Sequence, residues 1–320
     1  MQRKGNERNM TKRIPKTLYH YCSIETFYNI ITNRSLWLSD ISKSNDSQEL
    51  KWLKDQCELY ILKSWLHYVE ELDKADRLVT ADFEKFKKTQ QWSEFINKSE
   101  ISKCWVFCLS EKKDDLGQWR GYAQNGCGIS IGFKSDFFKS VEMIAKIIDE
   151  NEELYFQKVK YTKKQIEEFF YDHLGLREIS INNTSEEVVQ KLNDAIFSTL
   201  WNSAFFKSET FKEEREWRIA YSMSISELSE GKIPGILDEK NKFKNAVTLG
   251  NYGFSTKNNS FVSHVELGIP KIESVIDEIC IGPKSMLSVL DVKLFLVSQG
   301  ILKNAKDKSI KIYKSNATYR

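Results

Sequence analysis

Hydrophobic and polar positions recur with readable periods along most of the chain. Residues 18–22, "LYHYC", are apolar and aromatic enough for a strand, with His20 at its centre. Ile24, Phe27, Tyr28 and Ile31 follow at helical spacing behind Ser23, a residue type that caps helix N-termini. Residues 35–39 alternate as a short strand, and "DISKSND" reads as a loop because Asp, Ser and Asn bond their own backbone. From 48 to about 97 the pattern is helical, with Leu50, Leu53, Cys57, Tyr60, Ile61, Trp65 and Leu66 in one stripe.

Downstream, "KCWVFCLS" (103–110) reads as a buried strand, and Leu116, Trp119 and Tyr122 fall at helical spacing after it. "GCGISIGF" (126–133) is a second strand whose glycines point to close backbone approach. Residues 154–161 look extended, 163–173 and 185–206 helical, 213–222 a strand, and 228–260 polar and loop-like. Strands at 261–267, 275–281 and 310–314 and a helix at 285–299 complete the reading. Strands and helices mix without strict βαβ alternation, which predicts an α+β fold.

Composition is that of an ordinary globular protein, 41% hydrophobic and 29% charged. With four prolines and no Pro/Gly/Ser-rich linker, residues 17–320 are expected to form one elaborated domain, behind a basic flexible tail over 1–16 and with a helical insertion at about 48–97. Residues 1–16 hold six basic side chains against Glu7, and 301–320 hold six against Asp307, so the interior is acidic. Basic ends attract phosphate backbones, although solvated tails are the commoner outcome. No apolar run has the length of a bilayer span, and no signal-peptide pattern opens the chain. The six cysteines are scattered among apolar neighbours, as suits reduced thiols, so a cytoplasmic protein without a metal site or membrane partner is expected. Nothing in the chain indicates an oligomeric state.

Candidate chemistry centres on "EEREWRIA". On a strand, Glu214, Glu216 and Arg218 share one face while Trp217 and Ile219 anchor the other. Two carboxylates beside a guanidinium are costly to hold, and either a functional site or a solvated charged face accounts for them. Tyr122 could stack on a planar ligand or pack beneath the sheet, and Trp119 fits the sheet better. Asn45 sits in a loop that helix capping would explain, and Lys207 could meet a phosphate or pair with Glu209. The chain has no G-x-x-x-x-G-K-[ST], H-E-x-x-H or G-x-S-x-G, and "GCGISIG" opens a strand where a dinucleotide fingerprint would open a helix.

Four pieces in order, "YHY", "SND", "WRGYA…GCGISIGF" and "EREWR", resemble the bacterial domain-of-unknown-function family 2971 over most of residues 18–222, extending to "EICIGPK" near 278–284. The same layout is more distantly similar to the ADP-ribosyltransferase superfamily of the His-Tyr-Glu type. That resemblance implies mixed sheets with flanking helices and NAD as substrate without a metal. It further implies that ADP-ribose passes to a macromolecular acceptor, protein or nucleic acid, as in bacterial toxins or anti-phage effectors. Carried over, His20 would bond the adenosine ribose and Tyr122 would stack on the nicotinamide, with Asn45 and Arg218 as further cofactor contacts. Glu216 would hold the nicotinamide ribose and stabilise the cationic sugar, and Glu214 would orient the acceptor, although the two glutamates could exchange roles. The competing expectation is a non-catalytic nucleic-acid or protein binding module of the same fold.

Overall fold

The computed structural model describes residues 14–44, 49–78, 84–91, 102–148, 154–231, 248–257 and 259–318. Its strands are β1 (Thr17–Cys22), β2 (Ser35–Asp40), β3 (Ser102–Ser110), β4 (Ile129–Lys134), β5 (Leu154–Lys158), β6 (Glu216–Ser224), β7 (Thr248–Lys257), β8 (Ser260–Gly268), β9 (Ile276–Ile281) and β10 (Lys311–Lys314). The α-helices are α1 (Ile24–Asn33), α2 (Glu49–Lys74), α3 (84–91), α4 (Leu116–Tyr122), α5 (Ser135–Ile148), α6 (Lys163–Glu167), α7 (Ser185–Asn202), α8 (Ile225–Ser229), α9 (Ile272–Val275) and α10 (Val289–Ser298). Together they make a mixed sheet with helices on its faces.

Strand β3 is the hub. Along one edge β6 pairs with it residue for residue, from Ser102↔Ser224 to Ser110↔Glu216. The opposite edge is shared between two strands: β2 meets it at Trp105 and Val106, and β1 meets it at Ser110. From there β1 turns away to pair with β4 along its whole length. The sheet therefore splits beside Phe107, Cys108 and Leu109. From the split, one path runs through β1, β4, β9 and β10, and another through β2, β8 and β7, while β5 adds to β6.

Among the described residues three apolar clusters form, and the two larger cover most of the sheet. One collects the inward faces of β1, β2, β4, β6, β8 and β9, including Leu18, Leu38, Ile131, Ile219, Val265 and Ile279. The other seats α2 and α7 on the β3–β6 face: Leu53, Cys57, Tyr60, Ile61 and Trp65 meet Val188, Leu192 and Ile196 above Val106 and Ala220. The helical stripe read from the sequence is thus the layer that covers this face. Burying each of these large side chains stabilises the fold by roughly 1.5–3 kcal/mol. Leu66 departs from the expected stripe and is exposed, and Tyr68 and Leu72 continue it because they fall on the same side of the helix as Cys57 and Ile61. Among the described residues no helix is long and apolar enough to cross a membrane.

Three boundaries differ from the sequence reading. Strand β6 begins at Glu216, since Arg215 adopts the left-handed conformation (φ 46°, ψ 50°) and Glu214 closes a 3₁₀ turn. Within the expected loop 228–260, residues Thr248–Lys257 form β7, a polar strand paired with β8. Helix α7 ends at Asn202, where the chain tightens into a 3₁₀ turn. Ser23 does cap α1, accepting from the Thr26 amide at 2.9 Å.

The turn from α4 into β4 is packed by glycines. A Cβ on Gly128 would lie 2.1 Å from the Cys22 carbonyl, and one on Gly282 would lie 2.3 Å from that of Gly126. The Gly282 and Lys284 amides donate to the carbonyls of Gly128 and Gly126, each at 2.9 Å. These contacts lock the chain just beyond Tyr122 against the ends of β1 and β9.

Candidate functional site

The split in the sheet opens a narrow cleft of about 40 Å³ whose lining includes His20, Cys108, Ser110, Gln118, Tyr122, Glu214 and Glu216. These seven residues come from five stretches of chain: β1, β3, α4, the 3₁₀ turn before β6, and β6 itself. That volume is well below the roughly 300–1,000 Å³ typical of ligand sites, so a ligand larger than water would have to part the side chains at its mouth.

His20 occupies the split itself. Its Nδ1 lies 2.9 Å from the Cys108 carbonyl, on the edge of β3 that neither β1 nor β2 reaches. A carbonyl only accepts, so Nδ1 carries the proton and Nε2 keeps a lone pair. The ring is half-buried and stacks on Phe107 with centroids 4.2 Å apart. Burial pushes the imidazole down to about 4, the Cys108 carbonyl opposing only in part, so it is neutral at physiological pH. A histidine on an apolar strand thus satisfies a carbonyl that the diverging strands leave unpaired. Toward any ligand its Nε2 is an acceptor, whereas ribose recognition suggests a donor from sequence alone.

Tyr122 ends α4. The helix is capped by Asp115, whose side chain accepts from the Gln118 amide at 3.1 Å. Trp119 anchors it, fully buried against Tyr21. Its indole N–H donates to Asp114, which also accepts from the Ser315 hydroxyl, both at 2.6 Å, and from the Asn316 amide at 3.0 Å. Trp119 therefore packs beneath the sheet as its sequence context suggests, and Tyr122, three residues on, stays 39% exposed at the cleft. The Tyr122 hydroxyl donates to Glu214 Oε1 at 2.5 Å, and burial together with the Glu214 charge raises its pKa.

The carboxylates form a buried chain of charges. Glu216 is clasped by Arg218, Nε to Oε1 and Nη2 to Oε2, each at 2.9 Å. Lys207, itself buried, reaches Glu216 Oε2 at 3.5 Å and Glu214 Oε2 at 2.7 Å. Burial pushes the Glu216 carboxyl up, but the Arg218 charge, then Lys207, more than offset it and hold the group at about 2. The backbone is pinned as well. The Glu216 amide donates to the Tyr161 hydroxyl at 3.0 Å, and Ser110 Oγ donates to the Glu214 carbonyl at 2.7 Å.

His20, Tyr122, Glu214 and Glu216, far apart in the chain, thus line one cleft. Arg218 does not: at 1% exposure it lies behind Glu216 and spends a further N–H on the Ala204 carbonyl at 2.6 Å, which makes it a support for the carboxylate. Asn45 lies outside the described residues. Lys207, whose sequence context suggested a phosphate or Glu209 as partner, pairs with Glu214 and Glu216. Its role, and those of Tyr161 and Asp114, depend on contacts between separate elements, and "FFKSE" is the one local signal of any of them.

Residues 118–219 match the model of a family described as a protein of unknown function (DUF2971). The match takes in Tyr122, Lys207, Glu214, Glu216 and Arg218 and stops short of His20 on one side and "EICIGPK" on the other. No curated protein and no solved structure matches the chain. The matched segment supplies Tyr122 and both carboxylates, and the family's description leaves its activity open.

Proposed function

We propose that the cleft receives the nicotinamide–ribose end of NAD and that the protein transfers ADP-ribose to a macromolecular acceptor. The observation that carries this reading is the convergence of His20, Tyr122, Glu214 and Glu216 on one cleft beside the sheet split. The C1′–N bond breaks, nicotinamide leaves with the electron pair, and an acceptor heteroatom bonds C1′ and releases its proton. The transition state resembles an oxocarbenium ion, as in glycoside hydrolysis. Carboxylates fixed beside the ribose stabilise the positive charge as it moves from the nicotinamide ring onto the sugar more than they stabilise the ground state, in which it sits on the ring. The exposed Tyr122 ring offers a face for the nicotinamide, and His20 Nε2 can accept from a sugar hydroxyl.

A binding module without chemistry is the second reading, favoured by the exposed Lys303, Lys306, Lys308, Lys311 and Lys314 on the C-terminal segment. The two are separated by incubating the full chain with NAD labelled in its adenylate and with bacterial lysate. Nicotinamide release and labelled macromolecules, both lost in Glu214→Gln/Glu216→Gln, are the expected result. No nicotinamide release and no NAD binding by calorimetry would refute the transferase. Nucleic-acid affinity that falls steeply with salt and survives that double substitution would favour the binding module.

A further inference from the structure

We infer that Glu214 is the carboxylate that meets the substrate, and that Glu216 is a positioning residue that holds Lys207 and through it Glu214. This rests on the NAD reading for the substrate's identity, while the division of labour rests on geometry alone. A carboxylate offers about four lone-pair sites. Glu216 spends them on Arg218 Nε, Arg218 Nη2, Lys207 Nζ and the Cys108 thiol. A substrate hydroxyl could bond Glu216 only by displacing one of these. Glu214 accepts one bond on each oxygen, from the Tyr122 hydroxyl and from Lys207, which leaves room for a ligand on both. Its side chain is also the more open of the two, 17% exposed against 8%.

Chain geometry explains the difference. Glu216 is the first residue of β6, drawn into the sheet by its pairing with Ser110. The left-handed turn at Arg215 takes Glu214 off the strand and turns it to the cleft mouth, beside Tyr122. Lys207 lies between the two carboxylates, so the four charges of Glu214, Lys207, Glu216 and Arg218 balance. Removing Glu216 and Arg218 together leaves Lys207 and Glu214, which also balance. Glu216→Gln alone strands the Arg218 guanidinium in the interior, so Glu216→Gln/Arg218→Met is the informative variant.

Two measurements test the assignment. In NAD turnover, Glu214→Gln should lose about 100-fold or more in kcat. The Glu216→Gln/Arg218→Met variant should lose kcat less steeply than Glu214→Gln, because the carboxylate that meets the sugar survives in it while its Lys207 support is loosened. A merely structural Glu214 would instead be rescued by substitutions that restore folding. In the second measurement the wild-type chain is coupled to glycine ethyl ester with a water-soluble carbodiimide and mapped by peptide mass spectrometry. Glu214 should be modified and Glu216 left intact, with NAD slowing the modification at Glu214. A folded Glu216→Gln/Arg218→Met whose kcat falls as far as that of Glu214→Gln or further, or modification of Glu216 ahead of Glu214, would overturn the assignment. If wild type neither binds nor cleaves NAD, the transferase reading fails, and the coupling pattern still decides between the two glutamates.

Discussion

Replacing Glu216 and Arg218 together, as Glu216→Gln/Arg218→Met, removes a carboxylate whose proton affinity differs sharply between the folded and unfolded chain. In the fold, burial pushes the Glu216 carboxyl up, but Arg218 and Lys207 prevail and hold it at about 2, against an ordinary 4.5. The unfolded chain thus takes up a proton at a higher pH than the native state does. A depressed carboxyl contributes stability that is whole above about pH 4.5 and is lost as pH falls toward 2. At about 1.36 kcal/mol per pKa unit, the full swing is about 3 kcal/mol. At about pH 3.5 the unfolded carboxyl is mostly protonated and the folded one is not, so about 1 kcal/mol has gone. Urea unfolding of both proteins at about pH 6.5 and about pH 3.5 measures this directly, because carboxylates remote from the pair act alike in each. Wild type should lose about 1 kcal/mol more than the variant over that interval. Near neutrality the two should lie close together, since exchanging a buried ion pair for uncharged groups of similar volume is often near neutral. Parallel curves would refute the view that Arg218 and Lys207 hold Glu216 ionised.

His20 should remain neutral, with its proton on Nδ1, when nitrogen NMR follows it from about pH 8 to about pH 5, because burial holds the ring at about 4. An imidazolium appearing near pH 6.5 would show that the ring does not fill the sheet split. Gly282→Ala should destabilise the fold by about 1–3 kcal/mol or more in urea unfolding, since the new Cβ would meet the Gly126 carbonyl at 2.3 Å. An unchanged midpoint would mean that the α4–β4 turn does not press on the end of β9.

Much of the architecture could be read from local pattern. Strand β1, helix α1 with its Ser23 cap, strand β3 and the α2 stripe each follow from spacing, because burial of one face dictates which positions are apolar. Where the pattern misled, backbone or context was the cause: the left-handed Arg215 moved the start of β6, and the polar β7 takes its strand form from its pairing with β8. His20, Tyr122, Glu214 and Glu216 could be singled out as candidates from the residue types and their neighbours. Their meeting in one cleft could not, because it follows from β1 and β2 sharing an edge of β3 and then parting.

The sequence by itself indicated most of the strands and helices, β7 excepted, and which side chains were eligible for a site. Tertiary structure decided the protonated nitrogen of His20, the placement of Arg218 behind Glu216, and the attachment of Lys207 to both carboxylates. Periodicity records only which face of an element is buried. Hydrogen-bond partners and charge balance depend on atoms that other elements bring within about 3 Å, and no local pattern encodes that distance.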